Sequence, residues 1–288
     1  MLAGLASEAA TEVMDVHLIA LPGEDTERSA AFQRLVAEDR ADGFVILSFL
    51  SLTPEDMRPL EEAGMPYVLV NRHFEHLTVP PAQLANCVTL DWLYATEDAG
   101  RRLDALGHRR MVLLLPESDR STVWDHEQGW HLGVSAAGLA EDGAPVWHFA
   151  QSELTARIGQ LIDQIRAAPD AAPTAVVCFN DATAFAVLRA AAAGGVRVPE
   201  QLSVIGFDNR IGEYTTPPLC SYDGHLLDVG KEAARLMGAV LRREQPERPI
   251  DVDGVSFPET VYGWGADDVT RLVRAEPSSP PDALKTRQ

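Results

Sequence analysis

The stretch AVVCFNDATAFAVLRAAAAGGVRVPEQLSVIGFDN, residues 175–209, reads as strand, helix, strand. Ala175–Phe179 and Ser203–Phe207 are short continuous apolar runs rather than alternating ones, the pattern of strands buried on both faces of a parallel sheet. Two parallel neighbours need a crossover of a dozen residues or more, and the alanine-rich segment between them supplies a helix. Each run ends on a polar pair, Asn180-Asp181 and Asp208-Asn209.

Outward from this unit the same rhythm repeats. Val16–Leu21, Phe44–Leu47, Tyr67–Val70, Met111–Leu115 and Val146–Phe149 are further strand candidates. Leu154, Ile158, Leu161, Ile162 and Ile165 form a helical stripe, as do Leu226, Val229, Ala233, Leu236, Met237 and Val240. Asp91 and Thr53-Pro54 stand at helix starts, while Gly107 and Gly64 stand where helices end. The order is βαβα throughout, so the fold class is α/β with doubly wound parallel sheets. The 288 residues suffice for two sheets of five or six strands each. The chain opens on an amphipathic helix (Leu2, Leu5, Ala9, Val13), and from about Arg274 apolar periodicity ends, so residues 274–288 are expected as a disordered tail.

Composition narrows the function. At 46% apolar and 23% charged residues the chain is neither disordered nor fibrous, and no apolar run is long enough for a membrane span. The first twenty residues lack the basic and apolar regions of an export signal. Cys87, Cys178 and Cys220 are too scattered for a disulfide framework or a zinc site, which points to a reducing cytoplasm. With 24 basic against 43 acidic side chains the net charge is −19, which repels nucleic acid and anionic membranes.

Enzyme signatures fail on inspection. Gly133-Val-Ser-Ala-Ala-Gly138 misplaces the second glycine of a nucleophile elbow, and Gly263-Trp-Gly265 lacks the third glycine of a dinucleotide loop. His73-Phe-Glu-His76 has helical metal-ligand spacing in a segment that runs into Pro80-Pro81, and Asp251-Val-Asp253-Gly254 begins a calcium loop without finishing it. No catalytic residue, metal or cofactor is expected.

The informative residues follow strand ends, where open α/β sheets bind ligands. Asn71-Arg72, Asn180-Asp181 and Asp208-Asn209 offer amides, carboxylates and a guanidinium without a nucleophile and base, the inventory for hydrogen-bonding a polyhydroxylated molecule. Phe149, also at a strand end, suits an apolar sugar face. Helix capping by Asn180 and turn formation by Asp208 are the competing structural roles.

At these residues the sequence resembles the effector-binding core of the LacI/GalR family of bacterial transcription regulators. Three blocks carry the resemblance: Asp104-Ala-Leu-Gly-His-Arg-Arg-Met111; Phe179-Asn-Asp181 with Arg197-Val-Pro-Glu200; and Ser203-Val-Ile-Gly-Phe-Asp-Asn209 with Thr216-Pro-Pro-Leu219. Ala41-Asp-Gly-Phe44 and Met65-Pro-Tyr-Val-Leu-Val-Asn-Arg72 add to it, in the same order along residues 2–260. The resemblance implies a type I periplasmic-binding-protein fold: two subdomains joined by three crossovers, with a small sugar-like effector between them. It implies residues 1–106 with 224–244 in the first subdomain and 107–222 with 246–270 in the second, with crossovers at Tyr222-Asp223-Gly224 and Gln245-Pro246.

It also implies a cytoplasmic homodimer that controls operator DNA through a helix-turn-helix headpiece. That headpiece, the hinge helix and the first core strand would precede Leu2. The helix Arg28–Arg40, with Phe32, Leu35 and Val36, resembles part of the dimer face. Where the family commonly has an arginine three residues before a helix glycine, Gly129 puts His126, expected to donate when protonated, and Asn71 stands where aspartate is frequent. The expected ligand contacts are thus Asn71, Arg72, His126, Phe149, Asn180 and Asp208. A periplasmic-type sugar-binding transport protein and a sugar-acting α/β enzyme are the alternatives.

Overall fold

The computed structural model describes residues 1–22, 25–47, 52–71, 87–118, 120–139, 141–209, 215, 218–242 and 250–252. Contacts divide these into two compact units, one from 1–94, 118–126 and 224–252, the other from 95–117 and 127–223. Each has its own parallel sheet.

In the first unit, β1 (Phe44–Leu47), β2 (Tyr67–Val70), β3 (Cys87–Leu90) and β9 (Ile250–Val252) lie in the order β1-β2-β3-β9. Helix α2 (Asp25–Glu38) leads into β1, and α3 (Pro54–Glu62) links β1 to β2. The start of α3 is a capping box: the Asp56 backbone N–H donates to Thr53 Oγ1 (3.3 Å) and the Thr53 backbone N–H to the Asp56 carboxylate (2.9 Å), with Pro54 in the first turn. The buried guanidinium of Arg28, from α2, reaches the same carboxylate at 3.5 Å. Phe32 is fully buried in a cluster with Ile46, Leu52, Met57 and Leu60, and Leu35 and Val36 pack against it. The apolar face of α2 therefore packs on its own core through Phe32, with Leu35 and Val36 half-buried at its margin.

Helix α1 (Leu2–Thr11) docks on α8 (Leu226–Leu241), across more than two hundred residues of chain. The contact is backbone to backbone. A Cβ on Gly4 would collide with the Leu227 carbonyl and one on Gly230 with the Met1 carbonyl, so only glycine permits this crossing. Arg235 pairs with Glu8 (2.8 Å) and Arg242 with Glu12 (2.7 Å) along its length.

Two expectations change here. Val16–Leu21 forms no strand, and Val16, Leu18 and Ile19 are 50%, 78% and 47% exposed. An apolar run becomes a strand only where a neighbour accepts its ladder, and among the described residues β1 is paired on one side only, by β2. Ile250–Val252 pairs in parallel with Val88–Leu90, so these residues extend the first sheet, although 246–270 were expected with the second subdomain. The chain leaves α8, which packs on β2 and β3, and its short return is to the open edge of β3. Gln245-Pro246, the tail 274–288 and the Gly263-Trp-Gly265 and His73–His76 motifs lie outside the described residues.

In the second unit β4 (Met111–Pro116), β5 (Val146–Phe149), β6 (Ala175–Cys178), β7 (Ser203–Asp208) and β8 (Cys220–Asp223) lie in the order β5-β4-β6-β7-β8. The quoted stretch behaves as read: α7 (Asp181–Gly194) starts at the cap Asn180 and ends on Gly195 in the left-handed conformation, φ 71°. Ile158, Leu161, Ile162 and Ile165 of α6 (Leu154–Ala167) bury their stripe against Val112, Leu114, Val176 and Val187. At the opposite ends of the strands the buried His108 imidazole bridges the hydroxyls of Thr174 (2.8 Å) and Ser203 (3.3 Å), tying together the starts of three neighbouring strands. Helices α4 (Trp92–Ala105) and α5 (Ser121–Ala136) begin in the first unit and continue in the second. Gly133 lies inside α5, where a Cβ would sit 2.5 Å from the Glu97 carbonyl, so it serves helix packing rather than catalysis.

Candidate ligand-binding site

In the second unit the candidate residues follow the carboxyl ends of β6 and β7, which are neighbours. Asn180 is in extended conformation, and its Oδ1 accepts from the Thr183 backbone N–H (2.9 Å) and hydroxyl (3.0 Å). Asp208 and Asn209 both have positive φ, 93° and 49°. Two consecutive residues held there turn the chain sharply at the end of β7.

A buried network supports that turn. The Asn209 backbone N–H donates to Ser221 Oγ (3.1 Å), and Ser221 donates to Asp181 Oδ1 (2.5 Å). Asp181 is buried, and a Cβ on Gly206 would lie 2.5 Å from its Oδ1, so the glycine of Val-Ile-Gly-Phe-Asp makes room for this carboxylate. Asn209 Nδ2 also donates to Asp223 (3.3 Å), the residue in register with Asp208 on β8. Beside them Tyr222 stacks on Phe207, ring centroids 5.0 Å apart, and donates its phenol proton to Asp98 (2.7 Å). Burial and the Asp98 charge push that phenol well above its ordinary range. Phe149 closes β5, but its ring is buried in the apolar cluster with Leu114 and Ile158. It works as core, where the sequence suggested a wall for a ligand.

In the first unit Asn71 ends β2 at φ 55°, its backbone N–H donating to the Val88 carbonyl (2.7 Å). Its Oδ1 accepts from the indole N–H of Trp92 at 2.9 Å. Trp92 stacks on His126, ring centroids 5.4 Å apart and planes inclined by 24°. Two of the expected contacts are thus linked through a residue that sequence reasoning passed over. The available signal was a tryptophan directly after the cap Asp91, whose buried N–H had to find an acceptor.

His126 is fully buried, and loss of solvation lowers its pKa to about 3. It is a neutral imidazole at physiological pH, which corrects the expectation of a protonated donor. Arg72 lies outside the described residues.

Carboxylates, amides and a neutral imidazole beyond parallel strand ends can orient and hydrogen-bond a small polar molecule. Among the described residues no three His, Cys, Asp or Glu side chains are grouped to hold a metal, and no helix is long and apolar enough to cross a membrane.

Residues 101–256 match the model of the periplasmic binding protein-like domain. The chain is 33% identical over 207 residues to the HTH-type transcriptional regulator CelR of Thermobifida fusca, covering 70% of this chain and 57% of CelR. It is 28% identical over 214 residues to the HTH-type transcriptional repressor CytR of Escherichia coli K12, covering 73% of this chain and 59% of CytR. It thus spans somewhat over half the length of these curated relatives, which are named as transcriptional regulators rather than enzymes. Among solved structures, the complex of the transcriptional regulator CelR with cellobiose superposes with a TM-score of 0.73 at 26% identity, over 86% of this chain and 73% of that one.

Proposed function

The chain belongs to the periplasmic-binding-protein-like domain family, within its LacI-type regulators, and from that premise we propose that it is the effector-sensing core of a transcription regulator. The effector is a small saccharide-like molecule, hydrogen-bonded by Asn71, Arg72, His126, Asn180 and Asp208. The protein acts in the cytoplasm as a homodimer, and the bound effector changes the affinity of a helix-turn-helix headpiece for its operator, a coupling of two sites through subdomain geometry. The stretch 1–288 itself, at net charge −19, is not the DNA-binding element.

The observation that carries this reading is the likeness to CelR, both as a sequence and as a structure with cellobiose bound. The polar strand ends without a nucleophile fit binding rather than turnover. Thermal unfolding in the presence of mono- and disaccharides, cellobiose first, tests it. A ligand that binds only the folded state stabilises by RT ln(1 + [L]/Kd), about 2.7 kcal/mol at a hundredfold excess over Kd. A clear rise in Tm with one saccharide is expected. A melting temperature indifferent to every saccharide tried would overturn the effector class.

A further inference from the structure

We infer that Asn71 and Asn180 turn their NH2 groups to the effector as hydrogen-bond donors, because each amide has its oxygen held inside the protein by an N–H that can only donate. The inference rests on the saccharide-sensing reading and sharpens it. An asparagine amide carries an acceptor oxygen and a donor NH2 of nearly the same shape, so its orientation must come from its partners. At Asn71 the partner is an indole N–H, which has a proton to give and no lone pair to offer. The atom 2.9 Å from Trp92 Nε1 is therefore Oδ1. At Asn180 a backbone N–H, that of Thr183, makes the same assignment at 2.9 Å. Among the described residues neither Nδ2 has a hydrogen-bond partner of its own.

Trp92 is the positioning residue in the first unit. It is buried and its face rests on His126, packing that holds the indole against Asn71. The neutral state of His126 suits this contact, since a stacked imidazole needs no counter-charge. In the second unit the Thr183 backbone does the same work through the helix cap.

The consequence is a polarity rule for the effector: opposite both NH2 groups it presents an oxygen that accepts. Ring and glycosidic oxygens of a saccharide accept and cannot donate, while hydroxyls do either. An aspartate at position 71 would read the opposite polarity, so this asparagine marks a different specificity from the family's frequent residue.

The test uses near-isosteric exchanges. Asn71→Asp and Asn180→Asp keep an oxygen for Trp92 or Thr183 and replace only the outward NH2, and aspartate caps helices as well as asparagine does. Asn71→Leu removes both groups. The Trp92 indole N–H resonance is followed by NMR in the 288-residue chain, and cellobiose is titrated calorimetrically. Asn71→Asp should leave the indole resonance close to its wild-type position while Asn71→Leu displaces it. Each Asp variant should bind cellobiose about tenfold or more weakly with an unchanged melting temperature. Displacement of the indole by Asn71→Asp as far as by Asn71→Leu would overturn the orientation of the amide. Wild-type affinity in both Asp variants would overturn the donor role. Failure of the wild-type chain to bind cellobiose or any other saccharide would instead sink the sensing reading and the donor role with it, while the indole comparison still decides how the Asn71 amide is held.

Discussion

The two sheets are built from the same kind of sequence and end in different condition. In the second unit β4 and β6 are buried along nearly their whole length, with paired neighbours on both sides. In the first, β1 is, among the described residues, an edge strand of mostly half-buried residues, and Val16–Leu21 stays outside the sheet with Val16, Leu18 and Ile19 exposed and only Leu21 packed against the core. Hydrophobicity alone therefore does not make a strand. Val16–Leu21, five apolar residues around His17, would need a second backbone to satisfy its N–H and C=O groups as a strand, and without that pairing it is a connecting segment.

The comparison can be broken by mutation. Leu114→Ala, in the middle of β4 and fully buried, should cost about 3–4 kcal/mol in urea unfolding, against roughly 1 kcal/mol for Val45→Ala on the edge strand β1. Equal costs would mean that the first sheet is as tightly packed as the second. Gly206→Ala should cost about 2–3 kcal/mol, because the new methyl displaces the buried Asp181 carboxylate from Ser221. A smaller loss, with the Asn209 amide still protected from hydrogen exchange, would show that the network tolerates the shift.

The first unit has its own vulnerability, to acid. His126 titrates near 3 when folded and near 6.5 when unfolded, so the unfolded chain takes up the proton first as pH falls. The stabilisation is complete above pH 6.5 and is lost progressively between 6.5 and 3, amounting to about 2 kcal/mol by pH 5. His126→Gln should flatten that part of the pH profile of unfolding, and an unchanged profile would show that the imidazole is solvated. Least of all should change with Leu18→Ser, 78% exposed, where a stability change under about 0.5 kcal/mol is expected. A loss above 1 kcal/mol would show that the Leu18 side chain is packed rather than exposed.

The same contrast explains what was legible in the sequence. In the second unit, four of the five strand positions and the Asn180 cap followed from local rules, because each depends on a few adjacent residues. Asp91, Gly64 and Gly107 behave likewise: Asp91 accepts from the Tyr94 backbone N–H at 2.8 Å, and both glycines take positive φ. What stayed hidden depended on partners distant in sequence. The short strands Cys87–Leu90 and Cys220–Asp223 carry Thr89, Ser221 and Asp223 among apolar residues and show no run to notice. Phe149 was assigned to a ligand face because it ends a strand, and only the helix packed over it decides that it is core. Asn71 was identified by position, whereas the role of Trp92 lies in a contact across twenty-one residues, and the state of His126 in a burial no local pattern encodes.

The glycine crossing of α1 on α8 has a consequence for how the chain is made. The second unit draws nearly all its described structure from one run of about 130 residues and can close as soon as that run has left the ribosome. The first cannot: its opening helix waits for Leu226–Leu241, and β3 waits for Ile250–Val252. At ordinary elongation rates of about 5–20 residues per second, Gly4 spends roughly ten to forty-five seconds in the cell before Gly230 exists to receive it. Throughout that interval α1 lacks the helix it packs on, whereas residues 95–223 already carry every strand of the second sheet.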